Sequence, residues 1–284
     1  MNQIVFDHSA MATFRARALK KRKGGEAFLL NHVAQEMADR LSFVDRKFEN
    51  AAVTSGNAHY LPQDFLTGSR HAGAVFISNP DENWVGHSDE RPPIVHKNLD
   101  LALSFLSLHD TNDTPGALIQ MRQMLKPDGL MMAVLPASDT LNELRECLLA
   151  AETEISGGAS PRVHPFVDVR SAGSLLQRAG FALPVVDQET ITVRYSTMFD
   201  LMKDLRAMGA SNALATRSRK PLKKNVIVRA AQLYAERFGQ ADGKIPATFS
   251  FLWLSGWAPD ESQQKPLKPG SAKTSLAKAL SESQ

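Results

Sequence analysis

The stretch LDLALSFLSLHDTNDTPGALIQMRQMLKPDGLMMAVLP, residues 99–136, decides the fold. Residues 99–108 and 129–136 are apolar runs bounded by turn residues, as is typical of buried strands. A helix is predicted between them, because Thr114 can cap its N-terminus and Pro115 suits its first position. The order strand, helix, strand predicts an α/β domain with a largely parallel sheet.

The same alternation extends to both sides of this stretch. Strands are predicted at 72–78, at 189–195 and, closing the pattern, at 247–257. Thr140 and Glu143 have the spacing of a capping box, which predicts the start of another helix. Helical periodicity also precedes the first strand and interrupts the pattern before the last one.

The chain is therefore predicted to have three parts. Residues 1–47 form N-terminal helices, and residues 48–258 form the α/β domain, with a helical insertion at about 197–240. Residues 259–284 are rich in Pro, Lys and Ser and are expected to form a flexible basic tail, because such a segment cannot bury enough apolar surface to order itself.

Composition excludes several classes of protein. A chain of 284 residues with 43% hydrophobic content can bury a full core. No apolar run approaches the roughly 18 residues of a membrane-spanning helix, and the N-terminus lacks a secretion signal, so a cytoplasmic protein is predicted. The single cysteine, Cys147, excludes a disulfide framework, and its helical context indicates a semi-buried helix residue rather than a nucleophile.

Basic residues concentrate in three segments although the net charge is only +3. These segments are 15–25, 217–224 and the C-terminal tail. Such clusters are usually solvated surfaces, and the functional alternative is an acidic protein partner or an anionic surface. Nucleic acid is not the predicted partner, because aromatic residues are not interleaved with the charges for base stacking.

Three short motifs in the central stretch resemble a known family. Ser-Leu-His at 107–109, Asn-Asp-Thr-Pro-Gly-Ala-Leu at 112–118 and Leu-Lys-Pro-Asp-Gly-Leu at 125–130 resemble the second half of a class I S-adenosylmethionine methyltransferase domain. This resemblance implies an α/β, Rossmann-like class I methyltransferase fold, here with N-terminal helices and a helical insertion before the last strand. It also implies a cofactor bound across the carboxyl ends of the central strands.

Further segments narrow the resemblance to one group within that family. Residues 5–18, 160–187, 198–214 and 254–272 are similar to mitochondrial complex I assembly factor five and its bacterial relatives. The same group holds the malonyl-carrier-protein methyltransferase of biotin synthesis.

The cofactor positions implied by the resemblance are only partly present. The glycine loop after the first strand corresponds to residues 53–59, where Val53 replaces an acid and Ser55 and Gly56 remain as candidate contacts. Asn79 stands where an acid is expected to bind the ribose. We therefore expect S-adenosylmethionine to be bound weakly or to have been lost.

The other cofactor positions match the family better. Asp89, with Glu90 as its alternate, corresponds to the acid that holds the adenine, and Ser107, Leu108 and His109 form the loop expected to border the sulfonium. For His109 the alternative is a partly buried loop histidine with no cofactor contact.

No metal site is predicted, although one segment contains suitable residue types. His87, Asp89 and His96 are the residue types of a two-histidine, one-carboxylate iron site. Their Pro-rich segment is poorly suited to hold three ligands facially, and Asp89 already has a predicted cofactor role.

Partner recognition is predicted in the insertion. Thr197 can cap a helix whose apolar residues recur at three- and four-residue spacing, and Gly209 suits its end. The substrate or partner residues predicted there are Lys203, Asp204, Arg206 and Asn212.

The predicted function follows from this combination. It is an S-adenosylmethionine-dependent methyltransferase-family protein with a degenerate cofactor loop, acting on a protein or carrier-protein substrate. The alternative is a complex I assembly factor that acts as a hydroxylase-like enzyme or as a non-catalytic scaffold.

Overall fold

A computed structural model describes residues 4–21, 28–55, 57, 60–62, 74–78 and 98–264. Within this described part, six strands form one mixed sheet in the order β2-β1-β3-β4-β6-β5. Strands β1 to β4 run parallel, and β6 is antiparallel to both β4 and β5. The strands are β1 Asn50–Thr54, β2 Ala74–Ser78, β3 Leu99–Phe105, β4 Leu125–Pro136, β5 Ala182–Tyr195 and β6 Ile245–Trp257.

Helices cover both faces of this sheet. They are α1 His8–Lys21, α2 Phe28–Ser42, α3 Thr114–Met124, α4 Asn142–Ser156, α5 Val169–Arg178, α6 Met198–Ala207 and α7 Lys224–Phe238. One core unites α2, α4, α6 and α7 with one face, and a second core unites α3 and α5 with the other. All seven residues of β3 are buried, as expected for a central strand covered on both sides.

The strand order has a reversal that locates a binding site. The chain passes from β1 outward to β2 and then returns to β3 on the other side of β1. Ligands of open α/β sheets bind at the carboxyl ends of the strands beside such a reversal. The predicted Rossmann-like fold, the N-terminal helices and the helical insertion between β5 and β6 are thus confirmed.

The start of α3 differs from the prediction. Asp113, not Thr114, caps the helix, and its Oδ1 accepts a hydrogen bond from the Gly116 N–H at 2.9 Å. Pro115 consequently stands at the second helical position. The Thr114 hydroxyl instead lies 2.8 Å from the Thr111 hydroxyl, because a carboxylate one residue earlier already satisfies the free amide.

The predicted capping box at α4 is wrong for a different reason. The Thr140 hydroxyl donates to the Ser250 carbonyl at 2.7 Å and accepts from the Ser250 N–H at 3.1 Å. Glu143 accepts from the Thr248 N–H at 3.2 Å and from its hydroxyl at 2.6 Å. Strand β6 extends past the end of β4 at this point, where pairing stops at Phe251. The Ser250 and Thr248 N–H groups, which β4 does not pair, donate to the side chains of Thr140 and Glu143. These two side chains therefore do not cap the helix.

Several other predictions about local structure are confirmed. Thr197 caps α6 by accepting from the Asp200 N–H, and Gly209 follows the helix with φ of 76°. Cys147 lies in helix α4 as predicted, but it is fully buried rather than semi-buried, and burial raises its pKa to about 11. None of the helices in the described residues is both long and apolar enough to cross a lipid bilayer.

The first residues of the predicted tail lie against the domain. Gln263 donates hydrogen bonds to the Asp128 side chain at 2.9 Å and to the Ala258 carbonyl at 2.8 Å. Residues 265–284 lie outside the described part of the chain. The domain boundaries at residues 47 and 258 remain predictions.

Candidate functional site

A cavity of about 170 Å³ lies at the carboxyl ends of the central strands. Asn57, Leu106 and Pro136, which follow or end β1, β3 and β4, form its floor. Helices α1 and α2 and the end of α6 enclose it. The cavity thus occupies the position that the strand reversal indicates for a ligand.

The polar wall of the cavity centres on Asp110. The Arg15 guanidinium lies 3.0 Å from Asp110 Oδ2, His109 Nε2 lies 3.2 Å from the same oxygen, and His164 Nδ1 lies 3.5 Å from Oδ1. All four side chains are 9 to 15% exposed. We call Arg15, His109, Asp110 and His164 the Asp110 cluster. It joins α1, the loop after β3 and the loop between α4 and α5.

The neighbours of the two imidazoles determine which ring nitrogen of each carries the proton. The Ala213 N–H donates to His164 Nε2 at 3.2 Å, so the proton of His164 lies on Nδ1, facing Asp110. In His109 it is Nε2 that faces Asp110, at 3.2 Å from Oδ2, and the carboxylate favours the tautomer with its proton on that nitrogen. In this tautomer the Nδ1 atom of His109 is an acceptor. It is buried and has no hydrogen-bond partner in the described part of the chain.

Burial and charge determine the ionisation of the cluster. Burial lowers the pKa of His109 to about 4, and His164 and Arg15 add to this effect against the opposing influence of Asp110. Burial alone would raise the pKa of Asp110, but His109, His164 and Arg15 hold it well below its usual range. At neutral pH the cluster thus contains a carboxylate, a guanidinium and an uncharged His109.

Two leucines beside the cavity have strained backbones. Leu106 has φ of 50° and Leu141 has φ of 57°, and both line the cavity. Their N–H groups donate to Val134 at 3.0 Å and to Thr248 at 2.7 Å, which holds them in place. A left-handed conformation at such a residue costs about 1–3 kcal/mol, and such positions concentrate at functional sites.

Gly209 allows α1 to approach the end of α6. A Cβ atom at this glycine would come within 3.2 Å of the Arg15 side chain and 3.3 Å of its Cα. Its positive φ is also disfavoured for other residues. Gly209 therefore helps to hold Arg15 against the cavity.

Only some of the predicted cofactor residues are described by the structure, and they do not all lie at the cavity. Ser55 is fully buried and its hydroxyl accepts from the Asn57 N–H at 2.8 Å, whereas the Ser107 hydroxyl is buried with no partner among the described residues. Leu108 packs in the core on the α3 face, and His109 alone of these four lines the cavity. The other candidates, namely Gly56, Asn79, Asp89 and Glu90, lie outside the described residues, as do His87 and His96.

The described walls suit S-adenosylmethionine poorly. Two buried polar atoms, His109 Nδ1 and Ser107 Oγ, have no hydrogen-bond partner among the described residues. A carboxylate free to bind ribose hydroxyls is missing from the described walls, because Arg15, His109 and His164 already engage Asp110. The described residues also contain no group of three His, Cys, Asp or Glu that could hold a metal ion.

The predicted partner residues have different surroundings. Lys203 is exposed on α6, whereas Asp204 accepts from the Tyr195 hydroxyl at 2.7 Å and so ties α6 to β5. Arg206 is exposed beside the cavity. Asn212 lines the cavity and donates to the Pro161 carbonyl at 2.8 Å. Their role in recognition remains a prediction.

The sequence analysis missed Arg15, Asp110 and His164. Arg15 and Asp110 are 95 residues apart, so no local spacing connects them. The one available signal was that each lies in or next to a stretch with family resemblance, at 5–18, 107–118 and 160–187.

Comparison with known proteins agrees with the fold. No protein-family model matches the chain. It is 38% identical over 261 residues to the mitochondrial arginine-hydroxylase NDUFAF5 of Danio rerio, covering 88% of this chain and 81% of that protein. The human protein of the same name is 37% identical over 262 residues, covering 88% of this chain and 75% of that protein.

A second group of relatives is more distant. The malonyl-[acyl-carrier protein] O-methyltransferase of Gallionella capsiferriformans is 26% identical over 280 residues, covering 91% of this chain and 93% of that protein. Identity, coverage and fold together lead to one conclusion. The chain belongs to the arginine-hydroxylase NDUFAF5 family, and its own sheet has a Rossmann-like strand order.

Proposed function

We propose that the protein binds an arginine side chain of a partner protein in the cavity and presents it for modification. The single observation that carries this proposal is His109, a cavity residue whose Nδ1 is a buried acceptor without a partner in the described part of the chain. The arginine itself is suggested by the name of the relatives, arginine-hydroxylase.

The chemistry of the cavity suits a guanidinium group. Guanidinium has five N–H donors and no acceptor, so it needs acceptors in its binding site. His109 Nδ1 supplies one, next to an Asp110 carboxylate that is paired with Arg15 within the protein. Because the pKa of His109 is lowered to about 4, the imidazole stays uncharged and does not repel a cation. Leu106, Leu141 and Phe166 offer apolar walls for the methylene stem.

Hydroxylation would be the reaction if the chain acts as its named relatives do. It replaces a C–H bond by a C–OH bond, takes the oxygen atom from dioxygen, and needs two electrons from a reductant with release of water. The described residues have the task of binding and orienting the arginine stem and excluding water. These residues do not identify the group that activates the dioxygen.

Methyl transfer is the second candidate. It is supported by the malonyl-carrier-protein methyltransferase relatives and by the buried, unpartnered Ser107 hydroxyl at the end of β3. Methyl transfer proceeds by in-line displacement, in which positioning supplies much of the rate. A role as a non-catalytic scaffold in complex I assembly, and the cytoplasmic location, also remain predictions.

Mass spectrometry distinguishes these functions. A strain lacking the gene is complemented with the wild type, with His109→Gln or with the matched control His32→Gln, whose imidazole is half exposed and is not among the residues that line the cavity. Arginine-containing peptides of complex I are then compared. The proposal expects the mass of one added oxygen atom with the wild type and the control, and its loss with His109→Gln.

Other outcomes would contradict it. The mass of one added methyl group would establish the second candidate instead. Restored complex I assembly with unmodified arginine would establish the scaffold role.

A further inference from the structure

A second depression adjoins the cavity on the protein surface. It measures about 480 Å³ and lies between α4, α6 and the segment 210–222. Its floor is apolar, with Leu144, Leu148 and Leu222 among the contributing residues. Five basic side chains surround this floor, and none of the described residues that line it is acidic. We call it the basic groove, and its basic residues are Arg162, Arg206, Arg217, Arg219 and Lys220.

Two of the five charges are neutralised within the protein. The Arg162 guanidinium donates to Glu152, with an Nε to Oε2 distance of 3.1 Å, and Arg217 pairs with Asp7 at 2.9 Å. These pairs are largely buried and hold the groove in shape.

The other three charges remain available to a ligand. Arg206, Arg219 and Lys220 are exposed, and no ion pair involves them within the described part of the chain. Three neighbouring positive charges around an apolar floor produce a local positive potential that attracts an anionic segment.

The groove continues into the cavity. The two depressions share wall residues, so a chain segment lying in the groove leads directly to the Asp110 cluster. The shared residues are Leu144, Arg162, Leu205, Ala210, Ser211 and Asn212.

We propose that the basic groove binds an acidic, partly apolar segment of a partner protein, next to the side chain that enters the cavity. The apolar floor matches leucine-like side chains of such a segment, and the rim matches its carboxylates. A nucleic acid fits less well, because Phe14 is the sole aromatic residue among the described lining residues and stacking platforms need several. This docking extends the proposed function but does not depend on which reaction follows.

Peptide binding to the full-length protein tests the groove. The probe is a fluorescent synthetic peptide in which Glu and Leu alternate around a single Arg, and its reference carries Gln in place of every Glu. Fluorescence anisotropy at low and at physiological salt gives both affinities. The proposal expects tighter binding of the acidic peptide, with a preference that decreases as salt screens the charges.

Variants locate the binding site. The triple variant Arg206→Gln, Arg219→Gln, Lys220→Gln should weaken binding of the acidic peptide about tenfold, since each exposed charge contributes modestly. It should leave the Gln peptide unaffected. The matched control Arg170→Gln, Arg178→Gln, Lys244→Gln removes three exposed charges away from the groove and should change neither affinity. Lys220→Glu alone is the second variant and should weaken the acidic peptide through repulsion.

The results separate this inference from the proposed function. Equal losses in the two triple variants, or an equal loss for the Gln peptide, would overturn the groove as a docking site. Replacing the Arg of the probe by Ala isolates the cavity: if affinity is unchanged, the arginine proposal fails, while a surviving tenfold effect of the groove variant still supports docking.

Discussion

Two buried carboxylates of similar exposure, Asp110 at 6% and Glu143 at 8%, have opposite environments. Glu143 accepts hydrogen bonds from the backbone and hydroxyl of one residue, Thr248, and no charged group is involved. Asp110 accepts from Arg15 and His164 and lies 3.2 Å from His109 Nε2, so its neighbours are ionisable side chains from three separate segments.

This difference distinguishes a carboxylate that stabilises the fold from one that belongs to the candidate site. Neutral donors fixed in a strand hold Glu143 at a single geometry, so the β6 junction, formed by Thr140 and Glu143 with Thr248 and Ser250, is a structural device. The neighbours of Asp110 are ionisable side chains, of which His109 has a pKa lowered to about 4, and they can exchange partners with a ligand. The β6 junction should therefore govern stability, and the Asp110 cluster should govern pH dependence and binding.

The largest expected effect lies in the β6 junction. Thr140→Val removes the hydroxyl that accepts from the Ser250 N–H and donates to the Ser250 carbonyl. The N–H loses the hydrogen bond, whereas the carbonyl still accepts from the Ala137 N–H at 2.8 Å. At about 1–3 kcal/mol for the buried N–H and about 1 kcal/mol for the lost bond to the carbonyl, the free energy of unfolding should fall by about 3 kcal/mol. The control Thr13→Val, at an exposed position on α1, should change it by less than about 0.5 kcal/mol. Denaturant unfolding measures the free energy of unfolding of both variants. Equal losses in Thr140→Val and Thr13→Val would contradict a structural role for the junction.

The next effect is the pH dependence of stability, which the Asp110 cluster should dominate. The pKa of His109 is about 4 in the folded protein and 6.5 ordinarily. Between these values the unfolded chain binds a proton that the folded protein does not, so the free energy of unfolding decreases as pH falls from 6.5 to 4. The total loss should be about 3 kcal/mol.

Replacing His109 tests this assignment. His109→Gln should abolish most of the decrease across that window, whereas His32→Gln should preserve it, because His32 is half exposed. Urea unfolding at several pH values is the measurement. A decrease that persists in His109→Gln would assign the pH dependence to another group.

A smaller effect tests the charge coupling within the cluster. The Arg15 guanidinium lowers the pKa of His109 and Asp110 raises it, although burial is the larger cause. Arg15→Met should therefore raise the pKa of His109 by less than about one pH unit, and Asp110→Asn should lower it further. NMR titration of the imidazole checks both directions. Arg17→Met, an exposed neighbour on α1, is the control that should leave the titration unchanged.

The smallest expected effect on stability is at the basic groove. Arg206→Ala should change the free energy of unfolding by no more than about 0.5 kcal/mol, because this side chain is exposed. It should nevertheless reduce complementation of complex I assembly in a deletion strain. Full rescue would contradict a recognition role, and a large loss of thermal stability would assign Arg206 to the framework.

The sequence predicts the framework well because its signals are local. Buried strands such as 129–136 and the cap at Thr197 depend on neighbouring residues, and the structure contains both. The error at Thr140 and Glu143 arose because a distant strand, β6, competes for their side chains. Spacing along the chain does not reveal such competition.

The site depends on contacts that sequence reasoning does not reach. Arg15, Asp110 and His164 come together only when α1 and two loops pack above the sheet. The left-handed leucines, Leu106 and Leu141, also carry no residue-type signal, since glycine or asparagine is the usual choice there. The loop residue His109 was predicted from family resemblance, but only the fold shows that its Nδ1 is buried and has no partner among the described residues.

NMR of the His109 ring during titration with N-acetyl-arginine methylamide tests the central claim most directly. The account predicts a saturable shift of the His109 Nδ1 resonance, a much smaller shift with N-acetyl-lysine methylamide, and no response at His32. An unchanged His109 resonance at saturating arginine ligand, or an equal response to both ligands, would contradict the claim that this cavity binds an arginine side chain.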